Sequence, residues 1–217
     1  MHQQHTRRGT QQRRPAQLGT LCLAVLFCVA PGWVSGAAAA DSPRAVVQQT
    51  ADAVVAVLVD KSLNAAQKRS KIEQIVYEHF DFTTLSKLVL ARNWKQLSPA
   101  QQHDFVEEFK RHLSVTYGRN VESYNNERAV ITGDREESHG DWTVKTKILR
   151  PSAEAILVDY RLRKQDDRWH VIDVIIEGVS LVANFRSQFQ EILTSSNPDH
   201  LIQLLRDKNV KGEPLKS

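Results

Sequence analysis

Apolar residues are spaced in three different ways along the 217-residue chain, and each spacing predicts a different element. From Leu18 to Ala30 they run almost unbroken, from Val47 to Val121 they recur every three or four positions, and from Trp142 to Ile176 they alternate with polar residues. From Leu181 to Leu205 the helical spacing returns. Helices, then strands, then helices is the order these periods dictate.

The helices have legible starts. Ser42-Pro43 offers a cap followed by proline in the first turn, and Val47, Ala51, Val54, Val55 and Leu58 follow on one face. A second helix starts near Asn64, with Gln67 three residues on, and places Ile72, Ile75, Val76 and Phe80 together. Asp81 caps a third that carries Phe82, Leu85, Leu88, Val89 and Leu90, more apolar surface than one solvated helix should show. Ser98-Pro99-Ala100-Gln101 begins a fourth, with Phe105, Phe109, Leu113, Tyr117 and Val121 in an i, i+4 stripe.

Beyond Asn125-Asn126 the period falls to two. Trp142, Val144, Thr146 and Ile148 alternate with Thr143, Lys145 and Lys147, and Ile156, Val158, Tyr160 and Leu162 with Asp159, Arg161 and Arg163. Turns at His139-Gly140-Asp141, Pro151-Ser152 and Asp166-Asp167 leave only short loops, which predicts an antiparallel meander. A weaker strand over 128–134 and a last one from Arg168 to Glu177 bring the expected number to four. On strict alternation the last strand points Trp169, Val171 and Ile175 one way and Ile172, Val174 and Ile176 the other. Gly178 ends it, Ser180 caps a helix with Leu181, Val182, Phe185, Phe189 and Ile192 inside, and Asn197-Pro198 starts a short final helix before a polar tail over 209–217. The fold class is therefore α+β, a four-stranded antiparallel sheet wrapped by six or seven helices.

The unbroken run changes the picture of charge. Arg7, Arg8, Arg13 and Arg14 precede it with no acid, and small residues from Val34 to Ala40 follow, which is the pattern of a cleavable secretory signal over 1–40. Ala38-Ala39-Ala40 marks a cut before Asp41, with a cut near Gly36 as the alternative. The chain holds 29 basic and 25 acidic residues, so without the four arginines the two signs balance. The basic balance that points to nucleic acid vanishes with the leader. Cys22 and Cys28 go too, leaving a domain with no disulfide, thiolate nucleophile or cysteine metal site.

Several runs together resemble a known family. Phe80-Asp81-Phe82 leading into Leu85 to Ala91 is one, and Leu97-Ser98-Pro99-Ala100-Gln101-Gln102 through Phe105, Phe109 and Tyr117-Gly118 is another. Trp169-His170-Val171-Ile172-Asp173-Val174, followed by Glu177-Gly178-Val179-Ser180-Leu181-Val182 and Asn184-Phe185-Arg186, completes the set. They resemble the MlaC, or toluene-tolerance auxiliary, family of periplasmic phospholipid-binding proteins over about 42–205. The resemblance implies a nuclear-transport-factor-like (NTF2-like) cone holding acyl chains inside and the head group at its mouth. It implies a monomeric shuttle working in the periplasm, between an outer-membrane lipoprotein–porin complex and an inner-membrane ABC transporter with an MCE-domain subunit. Phospholipid is the implied ligand, with no cofactor, metal, nucleic acid or covalent chemistry.

Aliphatic walls suit such a ligand. The candidates are Phe80, Phe82, Leu85, Leu88, Val89, Phe105, Phe109, Leu113 and Tyr117 from the helices. Val144, Ile148, Val158, Tyr160, Val174 and Ile176 come from the sheet, and Val179, Leu181, Val182 and Phe185 from the closing segment. All pass equally well as ordinary core. Lys87, Arg92, Lys95 and Arg119 are the cations expected to meet a head-group phosphate at the rim. Asp173 reads as a buried structural carboxylate binding the turn at Gly178-Val179-Ser180.

Two rival readings follow from the same residues. Cones of this kind also house isomerases and dehydratases, and Tyr160 with Asp173 or His170 is the trio the sequence offers. Strict alternation puts Asp173 and His170 on opposite faces, against their acting together. The other rival is an envelope protein-binding module whose apolar excess is a partner groove.

Overall fold

The computed structural model describes residues 42–118 and 124–215. The leader, the cut before Asp41, and both Val121 and Arg119 lie outside the described residues. Helices α1 (Pro43–Val59), α2 (Ala65–His79), α3 (Phe82–Leu90) and α4 (Pro99–Tyr117) come first, with a 3-10 turn, Ala91–Gln96, between the last two. Strands β1 (Arg128–Glu136), β2 (Trp142–Arg150), β3 (Ala153–Gln165), β4 (Arg168–Ile176) and β5 (Val179–Ser180) follow, and α5 (Leu181–Ser195) and α6 (Pro198–Lys211) close the chain.

Local chemistry sets the helix starts. Ser42 accepts from the Ala45 amide, Asp81 from Thr84 and Ser180 from Ala183, while Asn64/Gln67 and Ser98/Gln101 are complete capping boxes. Each satisfies amides that a helix start leaves without an intrahelical partner. The polar tail expected from residue 209 begins later, because α6 continues to Lys211. Asn209 is buried there, its side-chain amide donating to the Glu108 carbonyl oxygen at 2.9 Å.

The strands form one antiparallel sheet in chain order, β1-β2-β3-β4-β5. The fifth strand, not foreseen from the sequence, follows from a turn. Glu177 and Gly178 both take positive φ, 49° and 80°, as a tight two-residue hairpin turn requires, and send Val179–Ser180 back along the end of β4.

Register corrects the reading of β4. Arg161 pairs with Asp173 but Leu162 pairs with Val171, so Ile172 is an extra residue, a β-bulge. Paired residues share a face. Val171, Val174 and Ile176 therefore all lie on the face of Leu162, Tyr160 and Val158, while His170 and Asp173 both lie on the other, with Arg163 and Arg161. Strict alternation had separated the last two.

Two apolar clusters result. One lies among the helices, built on Leu85, Val89, Leu90, Phe105, Phe109, Val182, Phe185, Phe189, Leu201 and Leu205. The other lies between α1 and the sheet, from Val46, Val47, Val144, Leu162 and Val171. Phe80 packs against both. Six helices wrapped on an antiparallel sheet, with α1 across one face, agree with the expected α+β cone.

Candidate functional site

The face of the sheet under α1 carries rows of paired side chains. Trp142, Leu162 and Val171 form one, Val144, Tyr160 and Val174 the next, and Thr146, Val158 and Ile176 a third. Ile148 continues the face, with Ala129 beside it on β1. Near its start α1 packs onto this surface through Val46 and Val47. Further on, its inward side chains are Thr50, Ala51, Val54, Val55 and Leu58, none aromatic, and they do not fill the space beneath them.

A cavity of about 250 Å³ remains there, closed on the helical side by α1 with Val76 and Phe80, and on the sheet side by Ala129, Ile148, Tyr160 and Val171. Tyr124 and Glu127 complete the lining. Glu127 is the one charged side chain among the described lining residues. Its Oε2 accepts from the Asn125 amide at 2.6 Å, and its carbonyl oxygen accepts from the Tyr124 hydroxyl at 3.3 Å. The Thr50 hydroxyl is spent on the Val46 carbonyl oxygen at 2.7 Å. Tyr160 differs, since its hydroxyl takes no hydrogen bond among the described residues. Burial raises its phenol above the ordinary value.

On the other side of Phe80 lies a second depression of about 330 Å³, lined by Tyr77, Phe82, Glu107, Lys110, Gln165 and His170 among others. It is larger, but wide open and substantially polar. Lys110 Nζ sits 4.1 Å above the Tyr77 ring, and Phe80 and Phe82 stack at 5.8 Å. A water-avoiding ligand finds no enclosure in it, so the smaller cavity is the better site.

The sequence-predicted wall residues are divided among these places. Phe80, Ile148 and Tyr160 line the cavity. Val144, Val158, Val174 and Ile176 share its sheet face, Val144 and Val158 being buried. Leu85, Val89, Phe105, Phe109, Val182 and Phe185, with Leu88, Leu113 and Leu181 against them, build the helical cluster instead. Phe82 faces the open depression, and Tyr117 and Val179 are 41% and 59% exposed. Among the rim candidates, Lys87, Arg92 and Lys95 are exposed on α3 and the turn after it, away from the cavity lining.

Sequence reasoning missed α1 as a wall. Its stripe was visible, but Val46 and Val47, which pack onto the sheet, are the same residue type as Val54 and Val55, which line the cavity, so residue type did not mark the wall. The proposed catalytic trio does not assemble, because Tyr160 occupies the cavity face while Asp173 and His170 lie on the opposite one. Asp173 is instead the structural carboxylate expected, accepting from Ser180 Oγ at 2.6 Å and from the Val182 amide at 3.1 Å. Among the described residues no group of three or more His, Cys, Asp and Glu could hold a metal ion.

Residues 48–207, which include both sides of the cavity, match the MlaC protein family. The chain belongs to the MlaC family. Within it, the toluene tolerance protein ttg2D of Pseudomonas putida is 26% identical over 182 residues, covering 80% of each chain. A phospholipid-binding protein from Ralstonia solanacearum, solved in complex with a phospholipid, superposes with a TM-score of 0.70 at 25% identity. The superposition covers 77% of this MlaC chain and 97% of that one.

Proposed function

We propose that this chain is a periplasmic phospholipid carrier that holds acyl chains between α1–α2 and the sheet. On this reading the leader over 1–40 is removed on export. The mature domain then shuttles lipid between an outer-membrane lipoprotein–porin complex and an inner-membrane ABC transporter with an MCE-domain subunit. Family membership and the phospholipid bound by the structural relative support the ligand class. The observation that carries the reading is the cavity itself, a partly enclosed space whose wall is apolar apart from the Thr50, Tyr124 and Tyr160 hydroxyls and the Glu127 carboxylate.

The physics of the task explains such a wall. A diacyl lipid has on the order of thirty methylenes, and exposing them to water costs roughly 25 kcal/mol. A carrier that replaces bilayer by protein interior makes loading nearly neutral and leaves unloading possible. The cavity is somewhat smaller than the ~300–1,000 Å³ usual for ligand pockets, so two tails require its walls to part. Helix α2 is suited to that movement. It buries no residue completely and leans on α4 through a hydrogen bond from Ser114 to Glu73 and the Lys110–Tyr77 contact.

Organic extraction of protein purified without added lipid, followed by mass spectrometry, tests the reading. About one phospholipid per chain is expected. An extract without lipid from correctly folded protein would instead favour a protein-binding module.

A further inference from the structure

One face of the sheet is covered and the other is largely bare. Helix α1 lies over the cavity face, while on the opposite face Asp173 holds the start of α5 against β4 and the side chains of β1 to β3 stand open. Register sets Val130, Lys147 and Leu157 in one row across those three strands, with Arg128 and Leu149 in the row to one side and Lys145 and Asp159 in the row to the other. Val130 and Leu157 are 42% and 46% exposed, where a solvated sheet face ordinarily carries polar residues. Arg128, Lys145 and Lys147 are exposed and take part in no ion pair among the described residues. Arg135 and Arg163, on the same face, are instead committed to Glu137 at 2.8 Å and to Asp141 at 2.7 Å. The acids near the row are Asp159, half-buried beside Lys145, and Glu177, whose Oε1 accepts from the Leu157 amide at 2.5 Å. Half-buried Arg161 adds a further cation, so unpaired positive charge exceeds negative across the bare face.

Such a surface fits the head-group layer of an anionic bilayer. Phosphates there form a continuous field with no fixed positions, which suits lysine, a point charge on a flexible stem. Protein–protein interfaces are by contrast poor in lysine. Val130 and Leu157 flank the Lys147 stem, so apolar atoms enter the head-group boundary while the ammonium meets phosphate. The face also stands back to back with the candidate site, because Arg128, Val130, Lys147 and Leu149 alternate with Ala129 and Ile148 of the cavity wall. We propose that the outer face of β1–β3 docks reversibly on an anionic phospholipid bilayer, setting the cavity-bearing end of the sheet beside the head groups where cargo is taken up or released. A few unpaired cations make a contact weak enough to break, as a shuttle needs. This inference rests on the carrier reading and adds to it the surface by which the carrier meets a membrane.

The test uses protein recovered after export, so that a basic and apolar leader does not itself enter lipid, and sucrose-loaded vesicles sedimented at low salt. Vesicles of equal parts phosphatidylcholine and phosphatidylglycerol should carry the protein down, and vesicles of phosphatidylcholine alone should not. Binding should weaken as salt is raised. Lys145→Gln combined with Lys147→Gln should lower the affinity by roughly thirty-fold, the order expected when two cations near an anionic surface are neutralised. Val130→Ser combined with Leu157→Ser should lower it several-fold. Lys87→Gln combined with Lys95→Gln, the same loss of charge on α3 and the turn after it, should bind as wild type does. Lipid extracted per chain should be the same in every variant, because none of these side chains lines the cavity. Absence of binding to the anionic vesicles, or equal losses for the two lysine pairs, would overturn the docking face, and a normal lipid load beside that result would leave the carrier reading intact and assign the bare face to an acidic protein surface. An extract without lipid from wild type would overturn the carrier reading and this inference with it.

Discussion

Phe80 and Val171 form an isolated parallel bridge, with the Asp81 amide donating to the Val171 carbonyl oxygen at 3.0 Å beside it. The contact ties the end of α2 to the strand that carries the cavity face. Phe80 also packs against both apolar clusters and lines the cavity, so one residue joins the helical core to that space. Phe80→Ala should therefore cost about 2–4 kcal/mol in chemical denaturation, near the lower end for buried aromatics because the ring is only partly buried. It should also shorten the time for which lipid is retained, read by transfer of a fluorescent phospholipid to acceptor vesicles. Unchanged stability and retention would show that the junction has no such role.

Filling the cavity should empty it of lipid. Ala51 is in the wall on α1, and Ala51→Trp places an indole where tails are expected. Lipid recovered per chain should fall several-fold with far-ultraviolet circular dichroism unchanged. Val179→Trp, at an exposed position, is the control and should carry a normal load.

Asp173 organises the start of α5 through Ser180 Oγ and the Val182 amide. Asp173→Ala removes both acceptors from a buried site, so a loss of about 2–4 kcal/mol is expected in urea unfolding. Ser180→Ala, which loses the cap to the Ala183 amide and one partner of Asp173, should cost about 1–2 kcal/mol. Equal losses for the two variants would contradict this division of labour.

His112 makes stability depend on pH. It is completely buried where α4 meets α6, with Nδ1 3.0 Å from Asn209 Oδ1 and Nε2 accepting from the Leu215 amide at 3.4 Å. Burial lowers its pKa from the ordinary 6.5, the Asn209 bond opposing and Lys208 adding to the shift. The unfolded chain thus takes up the proton first. The contribution of His112 is complete above pH of about 6.5 and is lost as pH falls from there through the folded pKa. The urea midpoint of wild type should drop between pH 7.5 and 5 (roughly the span in which histidine titrates), and that of His112→Gln should drop less. Parallel curves would exclude His112 as the cause.

How much of this was legible in the sequence can be judged residue by residue. Caps at Asn64/Gln67 and Ser98/Gln101 were readable because their bonds are local, and Asp173 because a carboxylate between Val171 and Ile175 needs partners. The bulge at Ile172 was not, since register depends on β3 as well as β4. Leu85 and Phe109 could not be told from Phe80 and Ile148 because packed core and cavity wall demand the same apolar residues. What separates them is what lies opposite, and for the cavity that is the part of α1 from Thr50 to Leu58, across a space its side chains do not fill.

The most direct test of where the tails lie is photo-crosslinking with a phospholipid bearing a diazirine in mid-chain. After loading, irradiation and proteolysis, adducts should fall on the peptides of α1 that contain Ala51 to Leu58 and on those around Ala129 and Ile148. Adducts concentrated instead around Phe105, Phe109 and Phe189, inside the helical cluster, would contradict the assignment of the cavity.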